Sequence, residues 1–208
     1  PLQWAVDAAA GSLYYLGRDE ESEADLVDIV APLLTELIRI EGEVDYDGPV
    51  DRPVSGIHIE GITFRHTDRF PWYGRSGMGV QHDWEAFDKP TAAVRMRSAS
   101  DCCVRDCTFE ALSGAAVRLD LTATGNIVDG NLIRHIGGCG VLLCGYGPGT
   151  KDTNRGNHVS NNRIHNVGEI TTHAPAIFAW QSGGNRIACN TIANTPYTAI
   201  IVSGRIQW

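Results

Sequence analysis

Gly125-Asn126-Ile127-Val128-Asp129-Gly130-Asn131-Leu132-Ile133 returns twice further along the chain. The copies are Gly156-Asn157-His158-Val159-Ser160-Asn161-Asn162-Arg163-Ile164 and Gly184-Asn185-Arg186-Ile187-Ala188-Cys189-Asn190-Thr191-Ile192. Each reads G-N-x-(V/I)-x-x-N-x-I, and each is followed by a second β-rich run, at 140–144, 176–180 and 199–203. Weaker copies lie upstream: Val104 with Phe109, and Ile59 with Phe64, fill the same two slots. The register Ile59, Val104, Val128, Val159, Ile187 advances by 45, 24, 31 and 28 residues. A unit of about two dozen residues, lengthened by variable loops, accounts for every step. Short runs of Val, Ile, Leu and Phe broken by Gly and Asn are strands, since helices of three or four turns need longer uninterrupted stretches. The pattern therefore predicts an all-β solenoid, a right-handed parallel β-helix. Its hand follows from the general bias of parallel crossovers rather than from any residue.

Composition bounds the rest. A chain of 208 residues suits a single domain with a sizeable core. A net charge of −8, with Lys89 and Lys151 the only lysines, argues against phosphate-backbone binding and so against a nucleic-acid partner. No apolar run is long enough to span a membrane. The six cysteines include the adjacent pair Cys102-Cys103, and the others occupy repeat slots. They read as buried thiols rather than a disulfide framework. The chain opens at Pro1 with no signal peptide and stops at Trp208 with no polar cap. Because solenoids need caps, this reads as a piece of a longer one, whose uncapped ends favour end-to-end association.

Taken in order, residues 1–20 predict a β-hairpin, within an N-terminal segment of residues 1–36. Residues 20–25 form an acidic turn. Leu26 to Ile38 also carries helical periodicity, but Pro32 would interrupt such a helix, so residues 37–41 are assigned as the first solenoid strand. The coils then occupy 37–208, after a loop at 43–54. Insertions are expected at 66–91, 144–156 and 168–175, and such loops beside a regular scaffold are where function usually sits.

Aligning the second runs sets the register. Ile38, Val94, Val117, Val141, Ile177 and Ile200 point inward, as do Ile40, Met96, Leu119, Leu143, Ala179 and Val202 two residues later. Between them lies an outward column of Arg39, Arg95, Arg118, Leu142, Phe178 and Ile201. A second outward column holds Glu41, Arg97, Asp120, Cys144, Trp180 and Ser203. Asn131, Asn162 and Asn190 form a further column, in line with Cys107, and read as a structural asparagine ladder.

Four segments carry a resemblance to a known family. They are Trp4-Ala5-Val6-Asp7 with Gly11-Ser12-Leu13-Tyr14-Tyr15-Leu16, Ile59-Glu60-Gly61-Ile62-Thr63-Phe64-Arg65-His66, Gly137-Gly138-Cys139-Gly140-Val141 and Tyr197-Thr198-Ala199-Ile200-Ile201-Val202. The chain resembles right-handed β-helix proteins of the pectin-lyase-like superfamily, and more closely the branch that includes glycoside hydrolase family 141. The resemblance implies a poly- or oligosaccharide substrate, with fucosides and xylan among those of the family. It also implies an extracellular or periplasmic setting.

Glycoside hydrolysis needs two carboxyl groups, ~5–5.5 Å apart for retention or ~6.5–9.5 Å for inversion. Glu41 and Asp120 share a column two coils apart, so their backbones stand ~9.6 Å from each other. Arg97 lies between them and is expected to depress both carboxyl pKa values. Asp120 is the first choice, partnered by Asp83 or Glu85 in the loop Gln81-His82-Asp83-Trp84-Glu85-Ala86-Phe87-Asp88, where Trp84 and His82 would contact sugar. Arg97 and Arg118 are further substrate-binding candidates. An outward Trp180 would make a sugar platform unless the 144–156 loop covers it. His173 lies in the third insertion with Glu169, and Arg155, Lys151 and Asp152 would clamp an acidic sugar. No cysteine-histidine spacing matches a zinc site, and hydrolysis of this kind needs no cofactor. The alternatives are a lyase, whose acidic side chains would hold Ca²⁺ against a uronate, and a non-catalytic glycan-binding or structural solenoid.

Overall fold

The computed structural model describes residues 3–7, 9–16, 30–70 and 87–204. By contacts the chain divides into two units, residues 1–31 and 32–208. The first holds an antiparallel hairpin, β1 (Gln3–Asp7) paired with β2 (Ser12–Leu16). Asp7 Oδ1 closes its turn by accepting from the Ala9 and Ala10 N–H groups, and Gly11 supplies the left-handed step at φ +63°.

The second unit is the solenoid, made of strands alone among the described residues. The large sheet stacks β3 (Ile38–Glu41), β7 (Ala92–Ser100), β10 (Ala115–Thr124), β13 (Val141–Cys144), β17 (Ile177–Trp180) and β20 (Ile200–Ser203) in parallel, with β4 (Val54–Ser55) and β14 (Asn154–Arg155) on its margins. The second sheet stacks β5 (His58–Glu60), β8 (Cys103–Arg105), β11 (Ile127–Asp129), β15 (His158–Ser160) and β18 (Arg186–Ala188). The third stacks β6 (Thr63–Arg65), β9 (Thr108–Leu112), β12 (Leu132–Ile136), β16 (Arg163–Val167) and β19 (Thr191–Ala193). The pairing is in the expected register: Ile38, Val94, Val117, Val141, Ile177 and Ile200 lie side by side. So do Ile59, Val104, Val128, Val159 and Ile187.

The repeated phrase is legible in these coils. Its middle apolar residue and its last one point inward into one continuous core, where Phe64 stacks on Phe109 with centroids 4.9 Å apart. Its leading Gly sits at a left-handed turn: Gly125, Gly156 and Gly184 have φ of 68°, 66° and 62°. Asp101 fills the same slot at φ 50°, one of the few side chains that accept it.

The asparagines close the turns. Asn131 Nδ2 donates to Asn162 Oδ1 at 2.9 Å, and Asn162 Nδ2 to Asn190 Oδ1 at 3.0 Å. Asn131 Oδ1 accepts from the Cys107 N–H at 2.9 Å. A second stack, which the sequence reading passes over, runs through Asn126, Asn157 and Asn185 by the same bonds, at 3.1 and 3.3 Å between amides. Buried amides satisfied by backbone on both sides fix the turn and carry no spare valence for chemistry. Cys102, Cys103, Cys107 and Cys189 are free thiols, and of the six cysteines Cys189 alone is exposed.

Candidate functional site

The outward columns of the large sheet are where charge gathers. Glu41, Arg97 and Asp120 pair across β3, β7 and β10, with Arg39, Arg95 and Arg118 in the neighbouring column. Residues 87–91, at the end of the first insertion, cross this face. Asp88 donates its N–H to Asp120 Oδ1 at 3.2 Å, and Thr91 Oγ1 accepts from Arg118 Nη1 at 2.8 Å.

Two layers result. In the inner one, Arg95 holds Asp120 Oδ2 through Nε at 2.9 Å and Nη2 at 2.6 Å, while Arg118 reaches the same carboxylate at 3.0 Å. Arg95 also pairs with Glu36 at 3.3 Å and with Asp88. In the outer layer Arg97 is shared: Nε and Nη2 bind the two Asp88 oxygens at 2.6 and 2.9 Å, and Nη1 binds Glu41 Oε1 at 2.7 Å. Its Nη2 also donates to the Tyr46 hydroxyl at 3.1 Å. Burial alone would raise the Asp88 carboxyl. The bonds from Arg97 and the charges of Arg95 and Arg97 outweigh it and hold that carboxyl below its ordinary range.

Exposure separates the layers. The Asp120 and Arg118 side chains are 0% exposed, against 15% for Arg97, 16% for Asp88 and 38% for Glu41. Three sequence expectations are corrected here. Asp120 does not face a groove: its oxygens are taken up by two guanidiniums and a backbone N–H, leaving no route for a glycan. Arg118 is its buried counter-ion, not a substrate contact. Trp180 is not a platform, because its ring lies in a second apolar cluster with Leu142, Phe178, Cys144 and Ala174, against which Phe87 and Ile201 pack.

The remaining candidates scatter. His82, Asp83, Trp84 and Glu85 lie outside the described residues. His173 packs on Tyr197, with ring centroids 5.5 Å apart, and Glu169 bonds His135 Nδ1 at 3.0 Å. Arg155 stands on β14, 3.5 Å from Asp152. Of the predicted site residues the structure thus brings Glu41 and Arg97 together at an accessible rim, and puts Asp120 and Arg118 beneath it. The sequence reading missed Tyr46 and Glu36, and left Asp88 as one acid among three in its loop. An acid next to the end of an insertion, beside an arginine-rich sheet face, is the signal that points to Asp88.

A second constellation was not foreseen. The Asp51 side chain is 0% exposed and accepts four bonds: the Asp45 N–H at 3.0 Å, Thr122 Oγ1 at 2.6 Å, the Tyr146 hydroxyl at 2.5 Å and Lys151 Nζ at 2.8 Å. It staples the loop after β13 to the loop before β4. Lys151 is not a free clamp, since it also binds the Asp45 carbonyl and lies 4.7 Å from the Tyr146 ring centroid. Beside this staple is a cleft of about 670 Å³ lined by Tyr146, Lys151, Asp152, Gln181, Ser182 and Ser203 among others. Tyr46 packs edge-on against Tyr146 at 6.1 Å, so the aromatic contacts run from the Arg97 rim to the cleft wall. No group of three metal-ligating side chains occurs among the described residues.

Stacked parallel coils, a three-sheet core and asparagine-closed turns define a parallel β-helix. Residues 53–206 match the family described as the right handed beta helix region, and the chain belongs to that family. It is similar to a solved structure named "Glycoside hydrolase", with a TM-score of 0.70 and 23% identity over 97% of this chain and 39% of that one. The chain therefore spans about two fifths of the length of that structure, and the likeness is one of fold. No curated protein matches the chain in sequence.

Proposed function

We propose that this is a carbohydrate-active β-helix protein, a glycoside hydrolase whose paired carboxylates are Glu41 and Asp88. The observation that carries the reading is the sharing of one guanidinium, Arg97, by two partly exposed carboxylates on the outer face of the large sheet. Acids bound to the same guanidinium stand ~5–9 Å apart, the span over which glycosidases hold their pair. Asp88, kept ionised by its arginines, suits the base or nucleophile. Glu41, the more exposed of the two and also bound by Arg97, is the second carboxylate of the pair. Tyr46, half exposed beside Arg97, offers an aromatic edge for a sugar ring. The name of the solved structure similar in fold supports the same substrate class.

The test is release of reducing sugar from a panel of neutral and uronate-containing glycans by the wild type, Glu41→Gln and Asp88→Asn. The reading expects each variant to lose at least ~100-fold in turnover, with no effect of EDTA. Unsaturated products, or loss of activity with EDTA, would replace hydrolysis by Ca²⁺-dependent elimination. The first-formed anomer, followed by NMR, separates retention from inversion.

One observation favours a second reading, a non-catalytic glycan-binding solenoid. The Arg97 row also ties β3, β7 and residues 87–91 together, which a passive scaffold needs as much as an enzyme does. Glycan binding without turnover by the wild type would select it.

A further inference from the structure

We infer that the buried pair Asp120 and Arg95 is a positioning unit, which fixes the rim carboxylate Asp88 in place and in orientation. This deepens the hydrolase reading above and rests on it for what Asp88 does, though not for how Asp88 is held.

Asp88 stands in a backbone conformation that needs support. Its φ of 58° is left-handed, and a non-glycine residue keeps such a conformation only when its surroundings over-determine it. Other left-handed residues of this kind recur in columns at the coil corners, as Ser98, Leu121 and Gln181 do after the large sheet. Asp88 belongs to no such column, so the repeat does not explain it. The buried layer does. Asp120 Oδ1 accepts the Asp88 N–H at 3.2 Å. Its Oδ2 holds Arg95 Nη2 at 2.6 Å, and the same nitrogen also binds Asp88 Oδ1. One pair thus grips Asp88 at backbone and side chain together. Asp120 also holds Arg118 at 3.0 Å, and Arg118 donates to Thr91 Oγ1 at 2.8 Å. Both ends of the crossing at 88–91 therefore lead back to one carboxylate.

Covering the sheet does not require this. The Asp120 and Arg95 side chains are 0% and 4% exposed, and burying charge is costly where apolar groups of the same size would serve. The other half of the same face is covered by apolar groups. What the ionic cover adds is direction, because a guanidinium fork fixes the plane of the carboxylate it holds. Arg95 reaches Asp88 from beneath, while Arg97 binds both of its oxygens from the rim. Arg95 is in turn backed by Glu36, itself 8% exposed.

The same contacts set the charge around Asp88. Arg95 and Arg97 face it from β7, and Asp120 with its partner Arg118 from β10. Glu36 and Glu41 lie across those arginines, and Tyr46 and Tyr146 stand on the loop side, with Lys89 next in the chain. Burial pushes the Asp88 carboxyl up, and the Arg97 bonds with the Arg95 and Arg97 charges pull it further down. Arg95 is thus the part of the unit that acts on acidity, and Asp120 the part that acts on backbone position.

The experiment is NMR on the wild type, Arg95→Met, Asp120→Ala and Thr91→Val. It follows the Asp88 carboxyl carbon through an acid titration and the Asp88 amide by hydrogen exchange. The Val117 amide, bonded within the ladder at 3.1 Å, is the core reference. Arg95→Met should raise the Asp88 midpoint by about one pH unit, as expected when a carboxylate loses an adjacent cation. Asp120→Ala and Thr91→Val should each speed exchange at Asp88 by at least ~10-fold more than at Val117, since each removes a hydrogen bond to a charged group. Thr91→Val keeps the shape and every ion pair, so it decides the matter if a buried-charge variant does not fold. A pair that only stabilises the fold would speed exchange at Asp88 and Val117 alike and leave the Asp88 midpoint unmoved. That result overturns the inference.

None of these readouts needs a substrate, so positioning and hydrolysis fail separately. Turnover that is lost in Asp88→Asn, with midpoint and relative exchange unmoved in the other variants, leaves the hydrolase and removes the positioning unit. A moved midpoint and faster exchange in a protein that turns over no glycan does the reverse. Where the wild type turns over a glycan, Arg95→Met should shift the acid limb of kcat/KM by the same step as the Asp88 midpoint.

Discussion

The outer face of the large sheet has two halves, and the inner strands of both are covered, but by opposite means. On β3, β7 and β10 the outward residues are Arg39, Arg95 and Arg118 beside Glu41, Arg97 and Asp120. On β13, β17 and β20 the same two columns hold Leu142, Phe178 and Ile201 beside Cys144, Trp180 and Ser203. The first half is closed by ion pairs under residues 87–91, the second by an apolar cluster to which Phe87 contributes. Adjacent residues of one segment, Phe87 and Asp88, thus serve the two halves in turn. An outward pleat position is therefore not always an exposed one. What a covering segment carries decides whether a column becomes a second core or an electrostatic one.

The contrast predicts different tolerances. Asp120→Asn keeps the shape but removes the charge that Arg95 and Arg118 share. It should cost about 3–5 kcal/mol, as expected when buried cations lose their partner. Trp180→Phe keeps the chemistry and shrinks the volume, and the indole N–H it removes has no acceptor among the described residues. That change should cost only about 1–2 kcal/mol. Denaturant midpoints at constant m-value measure both, and equal losses would break the distinction between the halves. Glu41→Gln, at the exposed edge of the charged half, should change stability by less than about 1 kcal/mol while abolishing turnover, which melting and assay on one preparation can show.

The smallest effect near neutrality is that of pH. Asp88 and Asp51 are both held below the ordinary 3.8. For Asp51, burial works upward and is outweighed by the bonds from Lys151, Thr122 and Tyr146. A depressed carboxyl contributes stability in full above its unfolded value, and that contribution is lost as pH falls through the folded one. The melting temperature should therefore be nearly flat from pH ~7 to ~5 and drop below ~4. Asp88→Asn should flatten that drop. A variant as acid-sensitive as the wild type would show that the rim is not what titrates.

The strands were readable because a solenoid repeats its local physics. Period-2 alternation and a left-handed turn every coil place Val128, Val159 and Ile187 in register without knowledge of anything distant. The second asparagine stack was equally present in the G-N dipeptide of each copy. Site residues were harder. Glu41 and Arg97 follow from the register, but Asp88 and Tyr46 reach them from segments that have no period. Asp51 and Tyr146, 95 residues apart, meet only because coil stacking brings a loop before β4 under a loop after β13.

Sequence alone determined the coil, its inward columns and its turn chemistry, since each depends on neighbours within a few residues or at a constant offset. Tertiary structure decided which outward residues see water. Asp120 is covered where residues 87–91 cross the sheet, and Trp180 by an apolar cluster that includes Ala174 and Phe178 with Phe87 against it; the paths of those segments are a property of the folded whole.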